Sequence, residues 1–338
     1  MQKNKSALPL SRSLLDVMID GNEYESLLRH QFLEVDLIKE IKRSIAEITG
    51  IRGRPLICYV SNVVSNRGGG STGIDSSDDL PFNEMIRSLP PDTNEVDIVV
   101  VTPGGAAQQV AKFVNALRPR FKTVGFLVLS QAMSAGTIFV MSGDEIVMTD
   151  QSNIGPIDPQ VLNKSGFFVP AQAILTLIEE MRVKGEEQLK KGLQPSWTDI
   201  QLLRNIDPKE IGHAMTASNY SIKLVKEYLY NYKFKTWERH SDGRPVTDEE
   251  KEIRANEIAS LLCDHSKWNN HGHAITRESA WEVCKLKIKK AEEIEGLDRA
   301  MRRMWALFYW IFENTPILKF FISQEYSVYK STAQNIKK

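Results

Sequence analysis

Val96–Gly105 reads VDIVVVTPGG, and Phe126–Gln160 reads FLVLSQAMSAGTIFVMSGDEIVMTDQSNIGPIDPQ. The run Ile98–Val101 is continuous, apolar and β-branched, which predicts a strand buried on both faces of a parallel sheet. It ends in Thr102-Pro103-Gly104-Gly105, a turn that leaves backbone N–H groups exposed. A helix is expected from Gln108 to about Leu117, with Val110, Phe113, Val114 and Leu117 on one face. A second buried strand, Val124–Leu129, then delivers Met133-Ser134-Ala135-Gly136-Thr137 to the start of another helix. A serine between small residues at such a turn presents its hydroxyl beside free N–H groups, the arrangement an oxyanion needs. Ser134 is therefore the candidate nucleophile.

Outward from this unit, the pattern stays that of alternating strands and helices. Pro55–Val64 is expected as a strand, Asn66–Ser77 as a loop, Asp78–Leu89 as a helix and Ile146–Met148 as a strand. The alternation specifies an α/β fold with a mainly parallel sheet. Leu10–Gly50 reads as a helical arm, with Thr49-Gly50 stopping the pattern. From Val169 the chain becomes helical: Pro170–Arg182 is amphipathic and Lys184–Lys191 is its charged continuation. Trp197–Arg204, Pro208–Tyr230 (capped by Asp207), Asp248–Cys263 and Arg277–Val283 (capped by Thr276) follow as helices. Glu292–Phe321 reads as an aromatic-rich helix broken near Pro316. The expected organisation is an N-terminal helical arm over 1–50, a core domain over 51–290 with a helical segment at about 200–265, and a C-terminal helical extension over 291–338.

Composition narrows the function classes. With 338 residues, zero formal charge, 42% hydrophobic and 25% charged residues, the chain is an ordinary globular protein, and its balance does not point to nucleic acid. Cys58, Cys263 and Cys284 are scattered without metal-ligand spacing and suit a reducing cytoplasm. The N-terminus lacks the apolar core of a secretion signal, and no stretch is apolar enough to span a bilayer. No metal or organic cofactor is implied, and no GxGxxG fingerprint follows a strand.

Thr102-Pro103-Gly104-Gly105, Ser134-Ala135-Gly136-Thr137, the strand GDEIVM and Gly155–Gln160 together resemble the ClpP/crotonase superfamily. Within it the chain is similar to the serine dehydrogenase proteinases, related to the signal peptide peptidase SppA. The likeness is specific over about 55–160 and continues more weakly through Trp268, His271, Gly272 and Ile275. It implies a serine peptidase acting on peptide or protein substrates, with Ser134 as nucleophile and Gly104, Gly105 and Ala135 as the oxyanion hole. It also implies a homo-oligomer, and leaves open whether an ATPase or membrane partner delivers substrate. The ClpP order fails at one point: no histidine stands between Ser134 and His213. The base is then a lysine, Lys164 or Lys184, or a distant histidine that folds back, His271 being best placed by topology. A lysine base requires desolvation. Asp158, between two prolines, reads as a turn-former or a catalytic carboxylate, and His213 as an interface histidine.

Two other functions share these motifs. A crotonase-like enzyme would use the same oxyanion hole on acyl-CoA thioesters, and a scaffold would keep the fold without the chemistry. For the Trp305–Phe321 stripe, the expectation is a core or subunit-interface helix. Peripheral membrane contact is the alternative, since Arg299, Arg302 and Arg303 precede the aromatics.

Overall fold

In the computed structural model, residues 10–32, 34–65, 70–162 and 166–332 are described. The chain opens with β1 (Leu10–Ser11), α1 (Glu23–Leu28), β2 (Gln31–Phe32) and α2 (Leu37–Arg52). The alternating part follows: β3 (Leu56–Ser61), α3 (Asp79–Arg87), β4 (Glu95–Thr102), α4 (Ala107–Leu117), β5 (Thr123–Ala132), α5 (Ala135–Met141) and β6 (Glu145–Met148). Three short strands, β7 (Asn153–Ile154), β8 (Gln160–Leu162) and β9 (Phe168–Pro170), lead into α6 (Ala171–Lys190), α7 (Trp197–Asn205), α8 (Pro208–Tyr228) and α9 (Asp248–Cys263). The chain continues with α10 (His265–Trp268), α11 (Arg277–Cys284), β10 (Lys289–Lys290), α12 (Leu297–Asn314), β11 (Ile317–Ile322) and β12 (Ser327–Ser331).

An eight-stranded sheet is the centre of the molecule, in the order β10-β6-β5-β4-β3-β11-β12, with β7 beside the end of β5. All of its pairings are parallel except those made by β11. The strands are apolar on both sides because helices cover both faces. Ile57, Tyr59, Ile98, Val100, Phe126 and Val128 pack with α3, α4, α5 and α9. Their sequence neighbours Cys58, Val60, Val99, Val101, Leu127 and Leu129 face α2 and α12. Residue-by-residue alternation thus feeds two cores, and each fully buried Val, Leu, Ile or Phe contributes roughly 1.5–3 kcal/mol. The fold is α/β with a mainly parallel sheet.

Local chemistry sets the helix ends. The Asp36 side chain accepts from Lys39 N–H at the start of α2, and Gly53, at φ +67°, ends it. Gly50 lies inside that helix, so the pattern runs one turn past the stop expected at Thr49-Gly50. Asp207 caps α8, Thr247 and Glu250 form a reciprocal capping box on α9, and Thr276 caps α11. The two segments read as Pro170–Arg182 and Lys184–Lys191 are one helix, α6.

The largest departure is at the C-terminus. The helix breaks near Pro316 as expected, ending at Asn314, but beyond the break Ile317–Ile322 is not helix: it is a fully buried strand lying antiparallel to β3. Pro316 ends the helical register, and ILKFFI is as short and apolar as an interior strand. On α12, Leu307, Phe308, Ile311 and Phe312 are core, while Trp305, Tyr309 and Trp310 are half-buried. Arg302 pairs with Asp20, Glu23 and Asp298, and Arg303 with Glu47, within the chain. Among the described residues no helix is long and apolar enough to cross a membrane.

Candidate active site

β5 ends at Ala132, and the chain reverses into α5 through Met133 and Ser134. Ser134 adopts φ +51° and ψ −116°, a conformation that costs a non-glycine residue of order 1–3 kcal/mol. Sharp strand-to-helix turns of this kind lift a serine hydroxyl clear of the sheet. The packing around the turn demands small residues. A Cβ on Gly136 would lie 2.4 Å from a methyl of Thr102, and one on Gly104 would lie 2.7 Å from Ser134 Cβ.

The Gly-Gly turn is held against a third segment. Ile74 N–H donates to the Gly104 carbonyl at 2.6 Å, and Ala106 N–H donates to the Ile74 carbonyl at 2.8 Å. Gly104 N–H donates to Thr102 Oγ1 at 3.2 Å. Gly105 and Ala135 N–H make no hydrogen bond among the described residues. Of the three expected oxyanion donors, Gly105 and Ala135 are therefore the two whose N–H has no partner among the described residues, and Gly104 N–H is taken up within the turn.

Thr137 fastens the next segment to the serine turn. Its buried hydroxyl lies 2.8 Å from the carbonyls of both Ala132 and Gly155, and it accepts from Gly155 N–H at 3.0 Å. β7 also pairs with the end of β5, Ile154 against Ala132. Gly155-Pro156-Ile157-Asp158 thereby runs past Met133, and a Cβ on Gly155 would lie 2.6 Å from Met133 Cε. Ile154 and Ile275 exchange two backbone hydrogen bonds, at 3.0 and 2.8 Å, and Ile157 N–H donates to Leu262 O at 2.9 Å. These bonds bring the 262–275 segment to the same place.

There Asp158 has no exposed surface, and two imidazoles share its carboxylate. His271 Nδ1 lies 2.8 Å from Oδ1, and His265 Nδ1 lies 3.1 Å from Oδ2. Each ring is about a quarter exposed. A neutral imidazole donating Nδ1–H to a carboxylate presents a bare Nε2, ready to take a proton. Cys263 beside this group has its thiol pushed up to about 12, first by burial and then by the charges of Asp158 and Asp264.

The remaining candidates lie elsewhere. Lys184 sits on α6, 57% exposed and 2.7 Å from Asp199, without the desolvation a lysine base requires. Lys164 lies outside the described residues. His213 is exposed on α8. His265 was not singled out from the sequence; its one signal is that it stands six positions before His271 in the same irregular stretch. Among the described residues no group of His, Cys, Asp and Glu could hold a metal ion.

Residues 72–191, about a third of the chain, match a family described as ClpP-like SDH-type serine proteinase. Two uncharacterized proteins of Methanocaldococcus jannaschii are similar. MJ0137 is 26% identical over 198 residues, 59% of this chain and 54% of that protein. MJ1495 is 31% identical over 156 residues, 46% of this chain and 50% of that protein. The chain spans about half the length of these curated relatives. Among solved structures, an enoyl-CoA hydratase of Mycobacterium smegmatis overlaps 68% of this chain and 91% of its own, at 13% identity and TM-score 0.25. A probable enoyl-CoA hydratase/isomerase of Mycobacterium abscessus overlaps 78% and 89%, at 14% identity and TM-score 0.24. Those overlaps are too loose to bear on the chemistry. Over residues 72–191, which hold the Gly-Gly turn, the strained serine and Asp158, the chain is similar to the ClpP-like SDH-type serine proteinases.

Proposed function

We propose that this chain is a serine peptidase whose triad runs Ser134, Asp158, His271 in sequence order. The observation that carries the reading is the His271–Asp158 hydrogen bond in the segment fastened to the Ser134 turn. Asp158 fixes the ring so that Nε2 takes the serine proton as Oγ attacks the peptide carbonyl. The C–N bond breaks as the imidazolium returns that proton to the leaving amine, and water then hydrolyses the ester on Ser134. Gly105 and Ala135 N–H hold the oxyanion, a role in which one donor is worth roughly 3–4 kcal/mol. Among the described residues Ser134 Oγ has no hydrogen-bond partner, and bonds of this type commonly close only around substrate.

A homo-oligomer remains part of the proposal. It is supported by large apolar side chains exposed along α6 and α7, among them Leu189, Leu202 and Trp197, the last 72% exposed. The test of the activity is covalent: a fluorophosphonate should modify Ser134, located by peptide mass mapping. An intact, folded protein that resists the probe would overturn the peptidase reading and leave the scaffold and thioester alternatives.

A further inference from the structure

The interior of β11 holds a charge. Lys319 lies within the apolar run ILKFFI, and its side chain is 1% exposed. Its ammonium is 2.9 Å from both oxygens of Asp78, which has no exposed surface, and 3.2 Å from Asp75. Asp78 also receives Lys330 at 2.6 Å, the Tyr59 hydroxyl at 2.9 Å and Asp75 N–H at 3.1 Å. Two lysines and two aspartates balance, so the cluster needs no further partner. A buried ion pair is nevertheless weak evidence of stabilisation, because desolvation offsets the attraction. The position of the ammonium calls for another explanation.

It lies in a second set of contacts. Lys319 Nζ donates to the Gly73 carbonyl at 2.5 Å. That carbonyl and Ile74 N–H belong to one peptide unit, and Ile74 N–H donates to the Gly104 carbonyl at 2.6 Å. The Gly104 carbonyl and Gly105 N–H belong to the next peptide unit. An unbroken line therefore runs from a buried cation, through two peptide groups, to a free N–H at the serine turn. Aligned amides polarise one another, strengthening each bond by about 10–30% in condensed-phase estimates.

We propose that Lys319 is a positioning residue of the oxyanion hole: its charge polarises and fixes Gly105 N–H through the Gly73–Ile74 and Gly104–Gly105 peptide units. This rests on the reading of Gly105 as an oxyanion donor. The C-terminal hairpin thereby takes part in the chemistry of a turn more than 200 positions earlier in the chain. The packing leaves no slack in the line. A Cβ on Gly73 would lie 3.1 Å from the Gly104 carbonyl oxygen, and one on Gly105 would lie 2.3 Å from the Ile74 carbonyl oxygen.

The test uses the full chain with Lys319→Met, and with Lys319→Met/Asp78→Asn, which removes one charge of each sign and spares the fold a buried unpaired carboxylate. Two quantities are read. The first is the amide proton shift of Gly105 in glycine-labelled protein, which needs no activity. The second is the rate of Ser134 acylation by a fluorophosphonate, per folded molecule. Loss of the cation should move the Gly105 signal upfield and slow acylation about tenfold, a fraction of the roughly 10²–10³ lost when an oxyanion donor is removed outright. A Gly105 signal that stays in place in the folded double variant overturns the proposal. So does a moved signal with an unchanged acylation rate. A wild-type protein that is never acylated, yet whose Gly105 signal moves in the variant, supports the relay and counts against the peptidase reading instead.

Discussion

Asp158 and His271 meet at 2.8 Å across 113 positions of sequence. Neither residue is in a regular element, and the meeting depends on two backbone clamps. Thr137 ties the Gly155 segment to the serine turn, and the Ile154–Ile275 bridge ties the histidine segment to it. The carboxylate is wholly buried while the ring keeps an open edge, the division of labour that a base and its orienting group require.

The triad predicts a graded response. Ser134→Ala should abolish fluorophosphonate labelling. His271→Ala and Asp158→Asn should each lower the acylation rate on the order of 10⁴-fold, as loss of the base or of its tautomer does elsewhere. His265→Ala should cost far less, because the ring at 3.1 Å serves the second oxygen of the carboxylate. Equal losses in the two histidine variants would sink the assignment of His271 as base.

Gly104→Ala places a methyl 2.7 Å from Ser134 Cβ, on a backbone at φ +104°. Labelling should fall to background and the protein should lose roughly 1–3 kcal/mol. Gly192→Ala is the control: it has φ +71° but no atom within 4 Å of the new methyl. It should lose stability by about 1 kcal/mol through the backbone alone and label normally. Urea midpoints and labelling rates on the same samples separate the two effects.

Acid should weaken the fold through Glu145. Burial pushes its carboxyl up, but hydrogen bonds from Arg52 and Lys289 and their charges outweigh it and draw the group from an ordinary 4.5 to about 2. A depressed carboxyl stabilises the folded state above its unfolded value, and this contribution fades as pH falls from about 4.5 to about 2. At about 1.4 kcal/mol per tenfold change, the group holds on the order of 3 kcal/mol. Glu145→Gln should be less stable at neutral pH and show a flatter loss of stability over that window. A slope unchanged from wild type in denaturant titrations would count against this account.

All three cysteines should be silent in the native protein. Burial raises Cys58, lifts Cys284 to about 11 and, with the help of Asp158 and Asp264, lifts Cys263 to about 12. Alkylation by iodoacetamide at pH 8 should be negligible until denaturant is added, and should then reach three per chain. Fast modification of Cys263 in the folded state would show that the segment beside Asp158 opens locally.

Thr247→Ala removes one half of the capping box on α9 and should cost about 1 kcal/mol, with no change in labelling per folded molecule.

Much of this architecture was legible where local physics decides it. The strands read from Val96 to Met148 are the parallel centre of the sheet, because continuous β-branched runs have few alternatives to burial on both faces. Asp207 and Thr276 mark helix starts by the same short-range chemistry that holds them in the structure. Ser134 and the Gly-Gly turn stood out because small residues at a strand end have a steric cause. What was hidden is set by distant packing. Asp158 looked like a turn residue between prolines, and only the return of the 262–275 segment gives it two histidines. Lys319 sat inside an aromatic stretch read as helix, and a single charge there lends itself equally to an exposed helix face and a buried strand. Its carboxylate partners lie more than 240 positions away.

Both margins of the sheet are supplied by strands that follow residue 288 in the chain. β10 closes one side against β6, and α12 crosses a face of the sheet to deliver β11 and β12 to the other. On the ribosome, β3 to β6 would wait with both flanks unsealed, and open flanks invite pairing with other chains. His271 and Lys319 also arrive late. A chain made only as far as β6 therefore holds Ser134 without the His271–Asp158 pair or the Lys319 contact to the Gly73 carbonyl.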